Sequence, residues 1–443
     1  MASTYLSRTP SGAGNRRTFT YSMWVKTSNT SFQYLAGSIN SGNYSQIGFT
    51  SNTTIRLFQN TTSVNVETNQ LYRDTNGWYH IVVAIDTTQA TASNRIKIYV
   101  NGIEATYAST TYPSQNLDMN FNEGSVAQGI GARGDGVGYF NGSMSHIHFI
   151  DGTAYDATAF GETDSTTGEW KIKTDVSVTY GTNGFFILKD GNSVTDQSGN
   201  SNNFTVASGT LTNTEDNPSN VFATMNPLAG YYSGSDFSNG NNTLQTGQSQ
   251  YSYDVATLGA SSGKYYWEVE YDGKTGTAGQ YSMIGISSTQ STSTAKYLGI
   301  FPHDWSYYVA AGQSYLMNGT SYPSYGTVYL AGDIVGVALD LDNSKLYFSN
   351  NGTWQNSGDP TSGATGTGAI SITDPDSTPL GAYFPAVSYF DGGNRGTFKA
   401  NFGNGYFGTT AVASAGTNAS GNGIFEYDVP TGFTALSTKG LNL

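Results

Sequence analysis

Between Trp78 and Gly102 the chain reads WYHIVVAIDTTQATASNRIKIYVNG, and its apolar side chains recur at every second residue. Ile96, Ile98 and Val100 fall on one side of the chain and Arg95, Lys97 and Tyr99 on the other, the alternation of a half-buried strand. Tyr79, Ile81, Val83 and Ile85 mark a second strand with little that is polar on either face. Residues 86–94 between them are mostly Thr, Ser, Gln and Asn, which suits a loop over the end of a sheet, and the segment closes on Asn-Gly. A chain patterned in this way is committed to two neighbouring strands of a sandwich. Similar short apolar runs, broken by Gly, Asn and Ser, recur throughout, and almost no stretch has the helical period.

Length and composition narrow the class. A chain of 443 residues is expected to hold two or three domains, at ~150 residues each. Aromatic residues reach 14% and charged ones only 12%, with 55 Gly and 32 Tyr, the profile of a turn-rich all-β protein with a polar, uncharged surface. The net charge of −13 repels a phosphate backbone and no basic stripe offsets it, so nucleic-acid binding is not expected. The chain has no cysteine, which removes disulfides and thiolate metal sites. Residues 1–12 lack the apolar core of a signal peptide and no run approaches ~18 apolar residues, so no membrane insertion is expected. The protein is expected to be made in the cytosol, or to leave it without a cleaved signal.

An alternating strand centred on Trp24, RRTFTYSMWVK (16–26), opens a first unit that GYFNGSMSHIHFIDG (138–152) closes. The order FTYSMWVK, then WYHIVVAID…NRIKIYVNG, then YFNGSMSHIHFIDG resembles the laminin-G and concanavalin-like lectin superfamily over most of residues 1–160. A second unit holds GKYYWEVEYDG (263–273), SMIGIS (282–287), GDIVGVALDLDNSKLYFSNNGTW (332–354), YFPAVSYF (383–390) and ANFG (400–403). These five elements, in this order, resemble a SPRY domain, another β-sandwich. The resemblances imply an all-β chain of two jelly-roll-like sandwiches, at 1–165 and 226–443, joined by a β-rich bridge at 166–225.

The whole succession, including DGTAYDATAFGE (151–162), the bridge segment DNPSNVFATMNPL (216–228) and the terminal FEYDVPTGFTALSTKGL (425–441), is similar to tail and other virion proteins of marine bacteriophages. That resemblance implies a non-enzymatic virion structural protein on the particle surface, a tail fibre or tail-associated adhesin that binds a host glycan or envelope component. It would assemble in the host cytoplasm as a homo-oligomer with other virion proteins. A head decoration protein without a receptor role is the alternative within this class. A bacterial surface lectin and a glycoside hydrolase are the alternatives outside it.

Several residue sets carry candidate chemistry. Aromatic rings stack on pyranose faces, and the stretch 303–326 offers Trp305, Tyr307, Tyr308, Tyr315 and Tyr322 as the expected ligand-binding residues. Lectin-like sandwiches often hold calcium at loop tips through Asp and Asn oxygens, which makes Asp135, Asp196, Asn200 and Asp391 the candidate ligands for calcium, the one cofactor suggested. In WEVEYD, Glu268, Glu270 and Asp272 share one face of a strand, as the two carboxylates of a glycosidase can, although W-E-V is also what a SPRY strand shows. His146 and His148 stand two apart and are read as sharing a strand face, as metal ligands could or as a polar pair would. Arg133-Gly134-Asp135 lies in a Gly-rich loop and is not expected to act as an adhesion motif. No Ser-His-Asp or P-loop spacing stands out.

Overall fold

The computed structural model describes residues 3–442 apart from 62, 190, 192, 230–232, 249–250, 277–279, 294 and 390–392. Among the described residues there is no α-helix, only six short 3₁₀ turns, and no helix is long and apolar enough to cross a membrane. The chain divides into two compact units: Met1–Asn213 with Asn217–Ser219, and Thr214–Asp216 with Asn220–Leu443.

The first unit is a sandwich of an eight-stranded and a six-stranded sheet. The eight strands run, in spatial order, Tyr107–Thr111, Val64–Thr68, Ile55–Gln59, Asn43–Phe49, Gln33–Asn40, Gln128–Ile130, Tyr5–Arg8 and Thr205–Ser208. The six are Phe185–Ile187, Gly142–Asp151, Thr18–Thr27, Tyr79–Asp86, Ile96–Val100 and Ile103–Glu104. The two strands of the 78–102 stretch are antiparallel neighbours, with Ile81 opposite Val100, Val83 opposite Ile98 and Ile85 opposite Ile96. Asn101 and Gly102 both take positive φ, as a tight two-residue hairpin turn requires. Arg95 ties down the intervening loop by donating to the carbonyls of Gln89, Ala90 and Pro113. Inward residues of the two sheets, among them Phe19, Tyr21, Ile81, Val83, Ile85, Leu57 and Val66, form one core.

The other face of the Tyr79–Asp86 strand is apolar for a second reason. A hairpin of Gly161–Thr163 and Trp170–Ile172 is inserted between the sandwich strands Gly142–Asp151 and Phe185–Ile187, and Val82, Ile150 and Phe160 form a satellite core with Trp170 packed against it. The Trp170 indole leaves no room for a Cβ on Gly102 or Gly161.

The bridge expected at 166–225 is largely part of the first unit. Phe185–Ile187 pairs with Gly142–Asp151, Thr205–Ser208 pairs with Tyr5–Arg8, and Phe185, Ile187, Leu188 and Phe204 lie in the first core. The apolar residues of FFIL and Phe204 complete a core that residues 1–165 leave uncovered. From Asn220 the chain belongs to the second unit, where Ala223 and Met225 join the core.

That unit stacks a nine-stranded sheet on a five-stranded one. Lys264–Lys274 is central in the larger sheet, between Ile334–Asp340 and Gly396–Asn401. Its odd-numbered side chains Tyr265, Trp267, Val269 and Tyr271 point into the main core. Its even-numbered face starts at Tyr266, which is covered by Phe425, Val429 and Phe433 of the C-terminal segment. The smaller sheet runs Asp254–Val255, Phe384–Tyr389, Tyr281–Ser287, Asp304–Ala310 and Gln313–Met317.

Candidate ligand-binding surface

The outer face of the five-stranded sheet is half roofed and half open. Leu298 and Phe301 of the 288–303 loop pack with Tyr253, Met283 and Ala386 over one half. Over the other half, Tyr308 stands directly opposite Tyr315 in the strand register, with ring centroids 6.0 Å apart. Tyr322, 60% exposed on the turn held by mutual Asn318–Ser321 hydrogen bonds, stands edge-on to Tyr315 at 5.9 Å. Tyr251 and Tyr297 add a tilted pair with centroids 4.8 Å apart. Burial pushes the Tyr308 hydroxyl up to about 12, helped by Tyr281, Tyr297, Tyr251 and Tyr315, so the Tyr308 ring stays neutral across the physiological range. Rings with hydroxyl rims, half-buried and uncharged, suit stacking on a polyhydroxylated ligand.

Two of the five aromatics expected here face the other way. Successive residues of Asp304–Ala310 alternate between faces, and Trp305, Tyr307 and Val309 are the inward set. Tyr307 is fully buried, with its hydroxyl on the Thr327 carbonyl, and Trp305 packs half-buried against the same core. Neither belongs to the open face. Tyr251, Tyr281 and Tyr297 lie outside the expected set. The alternation in YSMIGIS (281–287) places Tyr281 on the face away from Ile284 and Ile286, but Tyr251 and Tyr297 come from loops that carry no periodic signal.

The three acids of WEVEYD do share the outer face of their strand, and the fold separates their fates. Glu268 is completely buried: Oε1 accepts from the Tyr266 hydroxyl (3.0 Å) and the Tyr427 N–H (2.9 Å), Oε2 from the Glu426 N–H (2.9 Å) and Asn401 Nδ2 (3.3 Å). Burial raises it to about 7 in spite of these donors. Glu270 and Asp272 share Lys399 Nζ at 3.1 and 2.7 Å. Glycoside hydrolysis by paired carboxylates needs both open to the sugar, and Glu268 lies beneath residues 426–427.

In the first unit, Ser22 Oγ and His80 Nε2 are 2.9 Å apart, a spacing reminiscent of a nucleophile and its base. However, His80 Nδ1 accepts from Trp170 Nε1 (3.0 Å), so the ring proton sits on Nε2 and points at Ser22. The imidazole, stacked on Trp24 and held down to about 3 by burial, has no lone pair to offer that hydroxyl. His146 and His148 do not lie on a regular strand: the pairing slips between Ser145 and His148, and His146 has φ of 48°. Both pack against Phe186, and His148 Nδ1 meets the Tyr180 hydroxyl at 2.8 Å. Among the described residues no group of three or more His, Asp or Glu is placed to hold a metal.

Three of the residues expected to hold calcium, Asp135, Asp196 and Asn200, are taken up by other partners. Asp196 accepts from the N–H groups of Phe186, Ser198 and Asn202 and from the Ser198 hydroxyl, all at 2.8 Å, which fills its acceptor sites. Asn200 turns its amide nitrogen, a donor, toward the carbonyls of Gly181 and Gly184. Arg8 already brings a cation to this loop, donating to the Asn183 carbonyl and to Asn202 Oδ1. Asp135 is spent elsewhere in a two-point pair with Arg133 (2.9 and 2.8 Å), which folds the Arg-Gly-Asp segment onto itself. Asp391 lies outside the described residues.

Comparison with known proteins agrees with this architecture. Residues 2–157 match the concanavalin A-like lectin/glucanases superfamily model and residues 264–403 the SPRY domain model. Ran-binding proteins 9 and 10 of Danio rerio are each 33% identical over 93 residues, 21% of this chain and 15% of theirs. The chain therefore spans about 15% of the length of these curated relatives. Among solved structures, the SPRY domain of human HERC1 is 18% identical, covering 36% of this chain and 86% of that one, with a TM-score of 0.26. The chain carries a concanavalin A-like, laminin-G-type domain followed by a SPRY domain, both β-sandwiches.

Proposed function

We propose that this chain is a surface protein of a bacteriophage virion, a tail fibre or tail-associated adhesin that binds a host glycan without chemical turnover. The observation that carries the binding role is the tyrosine face of the second unit: Tyr308, Tyr315 and Tyr322 stepped at about 6 Å, with Tyr251 and Tyr297 beside them. A lectin-like domain and a SPRY domain in one chain support the same reading, since both are binding modules. The virion assignment rests on the order of segments along the sequence. A particle presents many copies, most simply as a symmetric homo-oligomer among other virion proteins, and repetition turns weak stacking contacts into useful avidity.

The experiment is retention of the purified chain on host envelope glycans, at low and high salt, beside the Tyr308→Ala/Tyr315→Ala double variant. Stacking and neutral hydrogen bonds are little screened, so wild-type retention should change little with salt. The double variant should lose at least about tenfold in affinity, from about 1.4 kcal/mol or more of lost stacking. Equal retention by a folded double variant would remove the tyrosine face from the function. Failure to find the chain in purified virions by mass spectrometry would overturn the virion assignment.

A further inference from the structure

We infer that residues 153–181 form an acid-released strap: His80 and His148, buried and neutral on the outer face of the six-stranded sheet, hold it shut, and their protonation lets it lift. Strand register builds that face. His148 stands opposite Ser22 and Ser22 opposite Val82, while Trp24 stands opposite His80. Ile81, Val83, Ile147 and Phe149 take the core side, which leaves His80, Val82, His148 and Ile150 on the other. The strap starts and ends on the sheet. The Thr20 hydroxyl donates to the Thr153 carbonyl and accepts from the Tyr155 N–H, both at 2.8 Å, and the Asp151 N–H donates to the Tyr180 carbonyl at 2.9 Å. Between these ends the strap lays Phe160, Trp170, Val176 and Val178 over Val82 and Ile150, which are fully buried.

Two attachments of the strap pass through imidazoles. Trp170 Nε1 donates to His80 Nδ1 at 3.0 Å, and the Tyr180 hydroxyl meets His148 Nδ1 at 2.8 Å. The indole also stacks on His80 and the phenol on His148, with interplanar angles of 18° and 16°. An indole nitrogen can only donate, and His80 already spends its Nε2 proton on Ser22 Oγ. A proton added at Nδ1 therefore sets N–H against N–H and breaks the Trp170 bond. The Tyr180 hydroxyl can turn to accept, so at His148 the obstacles to charge are burial and like charge. Desolvation lowers both histidines, and His146 and His80 lower His148 further, with no carboxylate among the groups that act on either ring. His80 is faced by Ser22, Trp24 and Trp170, and His148 by Phe160, Tyr180 and Phe186. Farther out on this face Lys26 and Lys97 are cations, Lys97 held by Glu104, and Tyr99 lies opposite Val82. The acids of the strap are engaged within it, Glu162 and Asp164 with Lys171 and Asp156 with Thr158.

Lifting the strap returns both rings to water and to an ordinary 6.5, so the shut form keeps its full advantage above that pH and loses it as pH falls. Below 6.5 the open population gains about tenfold per pH unit for each histidine, about a hundredfold for the two together. The test is hydrogen–deuterium exchange of the full chain from about pH 7 to about pH 4.5, read peptide by peptide and corrected for the intrinsic rate. Peptides from 155–181 should open at least about tenfold more often per pH unit, well ahead of those from Ile55–Gln59 and Val64–Thr68 in the opposite sheet. Anilinonaphthalene sulfonate should bind over the same range, as Trp24, Val82 and Ile150 are uncovered. In His80→Gln the amide can accept from Trp170 and donate to Ser22 without titrating, so the rise should be about tenfold shallower per pH unit. Should that variant not fold, the wild-type profile decides. Strap exchange that is flat with pH, that keeps step with the opposite sheet, or that rises equally in a folded His80→Gln would each overturn the latch.

Discussion

Replacing Glu268 by glutamine perturbs a clamp that holds the C-terminal segment onto the nine-stranded sheet. The shape is kept, but one acceptor becomes a donor. On the Oε2 side Asn401 cannot turn over to compensate, because its own Oδ1 holds the N–H groups of Gly403 and Gly405 at 3.0 and 3.1 Å. The amide nitrogen is therefore better placed at Oε1, where the Tyr266 hydroxyl can rotate to accept and the Tyr427 N–H loses its partner. A buried donor without an acceptor costs ~1–3 kcal/mol, which lowers the melting temperature of a unit of this size by roughly 2–12 °C, at about 2–4 °C per kcal/mol.

A pH-dependent contribution opposes that loss. Glu268 is raised from an ordinary 4.5 to about 7, so in that window the folded chain keeps a proton that the unfolded chain gives up. Wild-type stability from this group is full below about 4.5, falls as pH climbs through the window and levels off above it. At about 1.4 kcal/mol per pH unit the fall is roughly 3 kcal/mol. Glutamine has no such dependence, while Asp254 and Asp304, raised by burial to about 7 and about 6, contribute equally to both proteins. Thermal melts from pH 5 to 9 should show the variant several degrees less stable at acid pH, with the gap closing or reversing at alkaline pH. A gap that is constant or that widens as pH rises would refute the reasoning.

Other outcomes follow from the same geometry. Asp196→Ala should cost the first unit roughly 3–5 kcal/mol by stranding three backbone N–H groups, whereas a calcium chelator should leave its melting temperature unchanged; a fall of several degrees on chelation would restore a calcium site. Gly102→Ala should destabilise by at least about 1 kcal/mol, because φ is +81° and the new Cβ would collide with the Trp170 ring; melts and Trp fluorescence report it. His80, lowered to about 3, should make the first unit lose stability as pH falls from about 6.5 toward 3, the reverse of the Glu268 trend, and a His80→Gln variant should flatten that acid limb. Tyr307→Ala should unfold or strongly destabilise the second unit, by about 3–5 kcal/mol, while Tyr322→Ala leaves its melt unchanged and weakens glycan retention.

The two-residue alternation was enough to establish the strands, since only a pleated chain between two environments places Ile96, Ile98 and Val100 on one side of Lys97 and Tyr99. The Asn-Gly turn and the order of motifs likewise carried the hairpin at 101–102 and the succession of two sandwiches. Alternation does not say on which side the second layer lies. That is why Trp305, Tyr307 and Tyr308 looked alike in the sequence, although only Tyr308 faces out. Nor does any local pattern show that residues 181–208 complete the first sandwich, because their partners are the strands Tyr5–Arg8 and Gly142–Asp151, far away in the chain. Glu268 and the Glu426 N–H are 158 residues apart, Arg8 and Asn202 194 apart, and His80 and Trp170 90 apart. Each of those contacts decides whether a polar side chain is a reactive group or a filled one. A hydrogen bond needs its two partners within about 3 Å, a condition on position in space that sequence spacing expresses only within a turn or a strand, so the filling of these groups was settled by the tertiary fold alone.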